Sequence, residues 1–278
     1  MHGILTMTHL TIHEARRRKI LLATLVFGLA FLTLFATGFY FINRKLLGEQ
    51  AMSAVQRKLV LNSFVMAGFY AVNFLMIMTA VLVPVDTLSG EISSGVIQTI
   101  ATKPVRRSEI VLGKWLGFWT ILMMYLLLMA GGLLLVARTI GRYTPPNAGI
   151  GLPLMALEGT LLLTLSIAGG TRLSTIANGV TVFGLYGLAF IGGWMEQIGT
   201  LVGNSTTRYL GIVASLLVPS ESLWQLAAYH MQPPLMRDLH LTPFSPASVP
   251  SANMVLWAAG YTAAALGVAL WQFRTRNL

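Results

Sequence analysis

The sequence predicts an all-α membrane protein with six transmembrane helices, and three observations support this prediction. The chain of 278 residues is 55% hydrophobic and only 10% charged, whereas about a quarter of the residues of a soluble domain are charged. Its apolar residues fall into six long runs, and about 20 apolar residues suffice for a helix to cross the hydrocarbon layer. The net charge of +10 comes mostly from bases that flank those runs, which favours anionic lipid headgroups over nucleic acid as the binding partner.

Residues 1–19 predict an interfacial helix. Ile4, Met7 and Ala15 recur at helical spacing, and residues 16–19 are consecutive bases. We expect this helix to lie on the cytosolic surface of the membrane with its bases at the headgroups; a disordered tail is the alternative. The histidines of the segment are too few for a closed metal site, so no metal-binding residue is predicted.

The predicted spans cross the membrane in alternating directions. They cover residues 20–42, 62–83, 109–136, 153–171, 178–202 and 254–273. The first span is too long for the apolar part of a signal peptide, and no small-residue cleavage site follows it, so it is an anchor. An even number of spans puts both termini on one side, and the bases near them indicate the cytosol. We therefore expect a multi-pass protein of the inner (plasma) membrane.

Few polar side chains fall inside the spans, and four of them mark a candidate translocation path. Asn73 lies in the middle of the second span, and Glu158 lies near the outer end of the fourth. Glu196 and Gln197 lie near the outer end of the fifth. A carboxylate in hydrocarbon is costly and by default indicates a pathway or a paired charge. The alternatives are carboxylates solvated by headgroup water or paired with arginines, and for Asn73 a hydrogen bond to a neighbouring helix.

Residues 84–117 are the only long polar segment in the first two-thirds of the chain. Within it Leu88, Ile92 and Val96 recur at helical spacing, which predicts a helix over residues 87–102. A proline two residues later cannot extend that helix. A short amphipathic helix held between two membrane helices is suited to receiving force from a protein outside the membrane. The alternative is an ordinary loop whose apolar face rests on the headgroups.

Segments 90–98 and 102–114 resemble the first cytosolic loop of type-2 ABC transporter permeases. They carry the spacing E-x-x-x-G, then a proline with bases, then Gly-Lys, close to the pattern of that family. In the family this loop contains the coupling helix, which docks into a groove on the partner ATPase. The resemblance implies a coupling loop over residues 84–108. It also implies these coupling residues: Thr87, Gly90, Glu91, Gly95, Gln98, Lys103, Pro104, Arg106 and Arg107.

The resemblance further implies one permease domain over residues 1–278 and the partners of that domain. Glu91 is expected to pair with a base of the ATPase, while Arg106 and Arg107 hold the loop at the headgroups or on the ATPase rim. Two ATPase copies would carry ATP and Mg, and a second permease copy or a paralogue would complete the path. Segment 177–199 is similar to the branch that includes the permease of the nitrous-oxide-reductase maturation transporter, and the wider family leans towards export.

Residues 203–251 predict a partly inserted extracytoplasmic region before the last span. The segment is too apolar for a free loop and too polar for a span. Residues 209–218 are a short apolar run, which suits a re-entrant or interfacial piece. Ser220 then caps a further helix. The resemblance implies the same layout.

The sequence lacks the groups that ATP hydrolysis or catalysis within the membrane would need. It has no phosphate-binding G-x-x-x-x-G-K-[ST] loop, no cysteine and no histidine within the predicted spans. We therefore expect no catalytic residue and no cofactor on this chain, with ATP hydrolysis on a separate subunit. Two other functions stay open. An ion-gradient-driven secondary carrier predicts charges deep in the spans, and a membrane anchor subunit predicts no neighbouring ATPase.

Overall fold

A computed structural model describes residues 2–48, 53–94, 106–239 and 245–276, and within them every regular element is an α-helix. In chain order these are α1 (His2–Arg16), α2 (Lys19–Gly48), α3 (Ala54–Leu82), α4 (Thr87–Ser93), α5 (Arg107–Gly141), α6 (Ala148–Gly170), α7 (Thr175–Val202), α8 (Ser205–Leu217), α9 (Ser220–His230), α10 (Pro234–Asp238) and α11 (Ala252–Thr275). Six of them, α2, α3, α5, α6, α7 and α11, are long and apolar enough to cross a membrane. The predicted all-α fold with six spans is confirmed.

The six long helices run in alternating directions, so their ends gather at two faces of the molecule. We call one of them the α4 face; it carries both ends of the described chain together with α1 and α4. The opposite side is the α9 face, where α8, α9 and α10 lie between α7 and α11.

The first two spans extend further towards the α9 face than the sequence predicted. Helix α2 continues to Gly48, and α3 begins at Ala54, although polar residues there had suggested a loop from residue 43. Asn43 shows why the helix continues. Its Nδ2 donates to the carbonyl of Ile140 at 2.8 Å, and its Oδ1 accepts from Arg57 at 2.9 Å. Both ends of the amide are therefore satisfied within the bundle.

Glycines set how closely α3 approaches its neighbours. A Cβ on Gly68 would lie 2.6 Å from side-chain atoms of both Phe35 on α2 and Leu133 on α5. A Cβ on Gly159 of α6 would lie 3.1 Å from Met76 on α3. Small residues at such crossings let helix backbones pack closely in membranes. Helix α3 packs closely against α2, α5 and α6.

Helix α1 packs across the beginning of α5. A Cβ on Gly113 would collide with Met7, and a Cβ on Gly117 would lie 2.8 Å from Thr11. Met7, Thr11 and Ala15 are buried. The helix predicted for the first residues is therefore present, and part of its predicted face rests on protein. Its position on the membrane surface stays a prediction.

Residues 203–251 form a bent helix pair followed by a short helix. Helix α8 runs back along α7, where Gly192 and Gly199 leave room for it. The chain then turns by 104° into α9, whose residues from Ser220 to Ala228 are all buried. The described part of this region thus packs against the long helices. Its depth in a membrane stays a prediction.

Candidate coupling surface and buried polar site

Helix α4 is fastened to the start of α7 by short polar side chains. Thr175 Oγ1 donates to Asp86 Oδ1 at 2.7 Å and lies 2.9 Å from Ser89 Oγ, with which it shares a second hydrogen bond. A Cβ on Gly90 would collide with the Asp86 carboxylate, so glycine is needed for this arrangement. The beginning of the predicted coupling helix therefore moves together with α7.

The predicted coupling residues take different positions in the structure. Thr87 is only 1% exposed, so it supports α4 rather than presenting a surface. Gly90 serves the turn just described, and Glu91 lies on the side of α4 that faces α5. Four more of the predicted set lie outside the described residues: Gly95, Gln98, Lys103 and Pro104.

Glu91 forms an ion pair within the chain. Its Oε1 accepts from the ammonium group of Lys114 on α5. The Lys114 side chain is 3% exposed and the Glu91 side chain 12% exposed, so the pair is largely shielded from solvent. Glu91 Oε2 has no hydrogen-bond partner among the described residues. The sequence had suggested only a base on a partner protein for Glu91, and the structure brings it a base of its own chain.

A second ion pair extends this charge cluster to α1. Arg18 Nη2 donates to Glu14 Oε1 at 2.6 Å, and both residues lie within electrostatic range of Glu91. Positive and negative groups thus alternate across α1, α4 and α5. A displacement of α4 would change the electrostatic energy of all three helices.

Arg107 connects the beginning of α5 to the C-terminal segment. Its Nη1 donates to the carbonyl of Arg276 at 2.7 Å and to that of Arg274 at 3.2 Å. Arg276 in turn donates to the carbonyl of Thr171 at the end of α6. Arg107, which was predicted to hold the loop at the headgroups or on the ATPase rim, therefore also binds the C-terminal segment of its own chain. Arg106 is exposed.

The α9 side of the bundle contains a buried carboxyl group without a normal partner. Glu158 on α6 is 0% exposed, and neither of its oxygens forms a hydrogen bond of normal geometry with the described residues. The Asn73 side chain and the Glu221 carboxyl are its electrostatic neighbours. The predicted path residues Asn73 and Glu158 are thus brought together.

The other two predicted path residues hold a surface segment in place. Gln197 Oε1 accepts from the backbone N–H of Ser248 at 3.1 Å, and its Nε2 donates to Gln225 Oε1 at 3.0 Å. Ser248 Oγ donates to Glu196 Oε1 at 2.6 Å. Neither Glu158 nor Glu196 forms an ion pair with any base that the structure describes.

Sequence reasoning missed Glu221, the residue that completes the buried site. Glu221 is 6% exposed on α9. It was overlooked because residues 203–251 were interpreted as a connection at the membrane surface, where water and headgroups solvate a carboxylate at little cost. An available signal was the composition of α9, which contains a single acid among mostly apolar residues.

The described residues also contain a cavity of about 490 Å³ between α6, α7 and α11. Arg172 and Gln272 lie at its polar side, and Leu165 and Trp271 belong to its apolar side. Within the described residues there is no group of three or more His, Cys, Asp or Glu side chains placed to hold a metal ion.

Comparison with known proteins gives a match over almost the whole chain. The model of a family described as ABC-2 family transporter protein matches residues 9–278. No curated protein sequence matches the chain.

Proposed function

The chain belongs to the ABC-2 family of transporter proteins, and from this membership we propose that it is the permease subunit of an ATP-driven ABC transporter. In this proposal two separate ATPase subunits hydrolyse ATP with Mg, and a second copy or a paralogue completes the translocation path. The complex exports its substrate across the inner (plasma) membrane. The narrower placement beside the nitrous-oxide-reductase maturation permease rests only on the similarity of segment 177–199.

One observation carries the proposal: helix α4 is tied to three long helices. It follows α3 directly in the chain, it contacts α5 through Glu91 and Lys114, and it contacts α7 through Asp86 and Thr175. A protein that pushed on α4 would move all three together. Packed elements shift as units because well-packed interfaces deform little.

Glu91 is suited to serve both the chain and the ATPase. Its Oε1 binds Lys114, while Oε2 has no hydrogen-bond partner among the described residues. A carboxylate can accept hydrogen bonds at both oxygens. Oε2 is buried in this structure, so we infer that docking shifts α4 and brings a base of the ATPase to Oε2, and Glu91 then links that base to α5.

The distribution of basic residues supports a cytosolic α4 face. Bases are somewhat more frequent at that face than at the α9 face, in the direction of the excess of bases on the cytosolic side of membrane proteins. Its arginines include Arg106, Arg107, Arg172, Arg274 and Arg276.

The proposal is tested with the tagged chain and the ATPase that is captured with it, reconstituted in lipid nanodiscs. Glu91→Arg places a cation beside Lys114 and beside the base of the ATPase. We expect the wild-type chain to stimulate the ATPase activity and the variant to give no stimulation. Asp238→Arg is the matched control, because Asp238 is an exposed acid on the α9 face. Unchanged stimulation in Glu91→Arg, or failure of any ATPase to bind, would overturn the proposal.

A gradient-driven secondary carrier is the second candidate, and the burial of Glu158 favours it. Carriers place ionisable groups within the membrane, where they bind the coupling ion. The two functions differ in their energy source. A carrier would move its substrate into proteoliposomes under an imposed ion gradient without ATP, whereas the proposed transporter would require the ATPase and ATP.

A further inference from the structure

Two carboxyl groups from different helices meet inside the α9 side of the bundle. Glu158 comes from α6 and is 0% exposed, and Glu221 comes from α9 and is 6% exposed. Each lies within electrostatic range of the other. Two ionised carboxyl groups together in an apolar interior are costly, so they either take up protons or bind a positive group. A cationic ligand that displaces those protons fits this pair.

The groups around the two acids offer oxygen atoms that lack donors. Asn73 Oδ1 and Ser220 Oγ have no hydrogen-bond partner among the described residues, and these residues are 3% and 0% exposed. Neither oxygen of Glu158 forms a hydrogen bond of normal geometry with the described residues, and the Asn73 side chain is its polar neighbour. No lysine, arginine or histidine forms an ion pair with Glu158 or Glu221 in the described part of the chain. A ligand that donates hydrogen bonds and carries positive charge would satisfy these acceptors.

Aromatic rings adjoin the acids and indicate what kind of cation fits. Tyr70 and Trp224 pack with their ring centroids 5.7 Å apart, and Tyr186 lies within electrostatic range of both carboxyl groups. Aromatic faces attract organic ammonium groups. A metal ion fits less well, because the described residues contain no group of three or more typical ligands.

An aromatic stripe on α7 leads away from the acids. From Tyr186 it continues to Phe190 at 6.3 Å and then to Trp194 at 6.4 Å between ring centroids. Tyr186 and Phe190 are partly exposed and Trp194 is exposed. The stripe thus joins the buried acids to the surface of α7 near the α9 face. An organic cation could follow it by exchanging one aromatic contact for the next.

The position of Glu221 is fixed by two features of the fold. Gly193 on α7 has no side chain where α9 crosses it; a Cβ there would collide with Glu221 and would lie 2.7 Å from Gln225 Nε2. Gln225 also accepts from Gln197, which holds the segment at Ser248. Helix α9 is therefore held against α7, with Glu221 packed at Gly193.

We propose that Glu158 and Glu221 bind the cationic nitrogen of an organic substrate, with the aromatic stripe Tyr186, Phe190 and Trp194 as its route to the α9 face. This inference rests on the proposed transport function and names the substrate class for it. The substrate leaves Glu158 and Glu221 and passes the stripe towards the outer side of the membrane. Asn73 accepts a hydrogen bond from the substrate at the same site.

The test uses the full chain in lipid nanodiscs without its ATPase. Dicyclohexylcarbodiimide modifies carboxyl groups in apolar sites, and mass spectrometry follows its reaction at Glu158. The probes are choline, which donates a hydrogen bond from its hydroxyl, and benzyldimethylammonium, which donates one from its N–H, with 3,3-dimethylbutan-1-ol as the uncharged isostere of choline. We expect the two cations to protect Glu158, whereas the alcohol gives no protection.

Variants then identify the binding groups. Glu221→Gln should raise the choline concentration needed for protection by at least about tenfold, the factor that corresponds to about 1.4 kcal/mol. Asp238→Asn, which removes an exposed acid on the same face, should leave it unchanged. Wild-type protection remains a valid test even if the Gln variant folds poorly.

Equal protection by choline and by the alcohol, or no protection by either cation, would overturn the inference and leave a closed pair of acids. Protection in this test, together with unchanged ATPase stimulation by the Glu91→Arg variant in the complex, would instead support the cation site and contradict the proposed ATP-driven function. The two failures are thus separable.

Discussion

The ion pair of Glu91 and Lys114 allows a sharp test of whether α4 transmits force. Breaking a buried pair by removing one partner costs about 3–5 kcal/mol, whereas an exposed pair contributes about 0–1 kcal/mol. Lys114 is the more buried partner, with 3% of its side chain exposed against 12% for Glu91. We therefore expect Glu91→Gln to destabilise the chain by about 3 kcal/mol, because it leaves a buried ammonium without an anion.

The reverse change should cost less. Lys114→Met leaves Glu91 unpaired, but Glu91 lies closer to solvent, and an unpaired carboxylate there can take up a proton. We expect a loss of about 1–2 kcal/mol, below the range for a fully buried pair. The double variant removes both charges and should recover most of the stability, since an apolar replacement of a buried pair is often nearly neutral. Denaturant unfolding of the chain in detergent micelles measures all four proteins.

ATPase stimulation separates coupling from stability in the same four proteins. If Glu91 also binds a base of the ATPase, the double variant regains stability and remains uncoupled. If the pair only holds α4 in place, the double variant regains both. The second result, or a Glu91→Gln variant as stable as the parent chain, would refute the reasoning.

Three further predictions follow from local contacts. Gly113→Leu should displace α1 and lower the melting temperature of the chain, because the leucine side chain would collide with Met7. Gly131→Leu is the control, since a Cβ at that position meets nothing within 4 Å. Equal melting temperatures of the two variants would contradict the packing of α1 on α5. Arg276→Ala should make the C-terminal segment more sensitive to proteolysis, because the variant loses the hydrogen bond to the Thr171 carbonyl. Arg274→Ala is the control and should leave the cleavage rate unchanged, since no hydrogen bond of that side chain is described. Equal cleavage of the two variants would contradict a role of Arg276 in holding this segment. Burial raises the pKa of Tyr143, between α5 and α6, from 10.0 to about 12. The folded state therefore holds this proton more tightly than the unfolded state, and its contribution to stability is complete below pH 10 and is lost as the pH rises towards 12. In unfolding experiments, Tyr143→Phe should reduce the fall in the free energy of unfolding between pH 10 and pH 12. An unchanged pH profile would contradict the raised pKa of Tyr143.

Composition and apolar run length were sufficient to predict the fold class. Six long apolar runs can only be helices in a membrane, because lipid offers no hydrogen bonds to the backbone. The ends of the first two helices could not be predicted in this way. Asn43 and Arg57 look like loop residues by composition, yet they satisfy each other inside the bundle.

Which charged side chains pair with each other could not be predicted from the sequence, for a different reason. Glu91 and Lys114 lie 23 positions apart, and only the packing of α4 against α5 brings them together. Glu158 was singled out from its cost in hydrocarbon. Its neighbour Glu221 was not, because the path of α9 into the bundle depends on Gly193 and on the turn that follows α8. Periodicity within one segment carries no information on such contacts.

Photocrosslinking from Ser94 tests most directly whether the α4 face receives the ATPase. Ser94 is exposed immediately after α4, and Ser205 is exposed at the start of α8 on the other face. A photoreactive amino acid at each position, in membranes that contain the ATPase captured with the chain, reports which face it touches. We predict a crosslink to the ATPase from position 94 that changes with bound nucleotide, and none from position 205. A crosslink from position 205 alone, or none from position 94, would contradict the account.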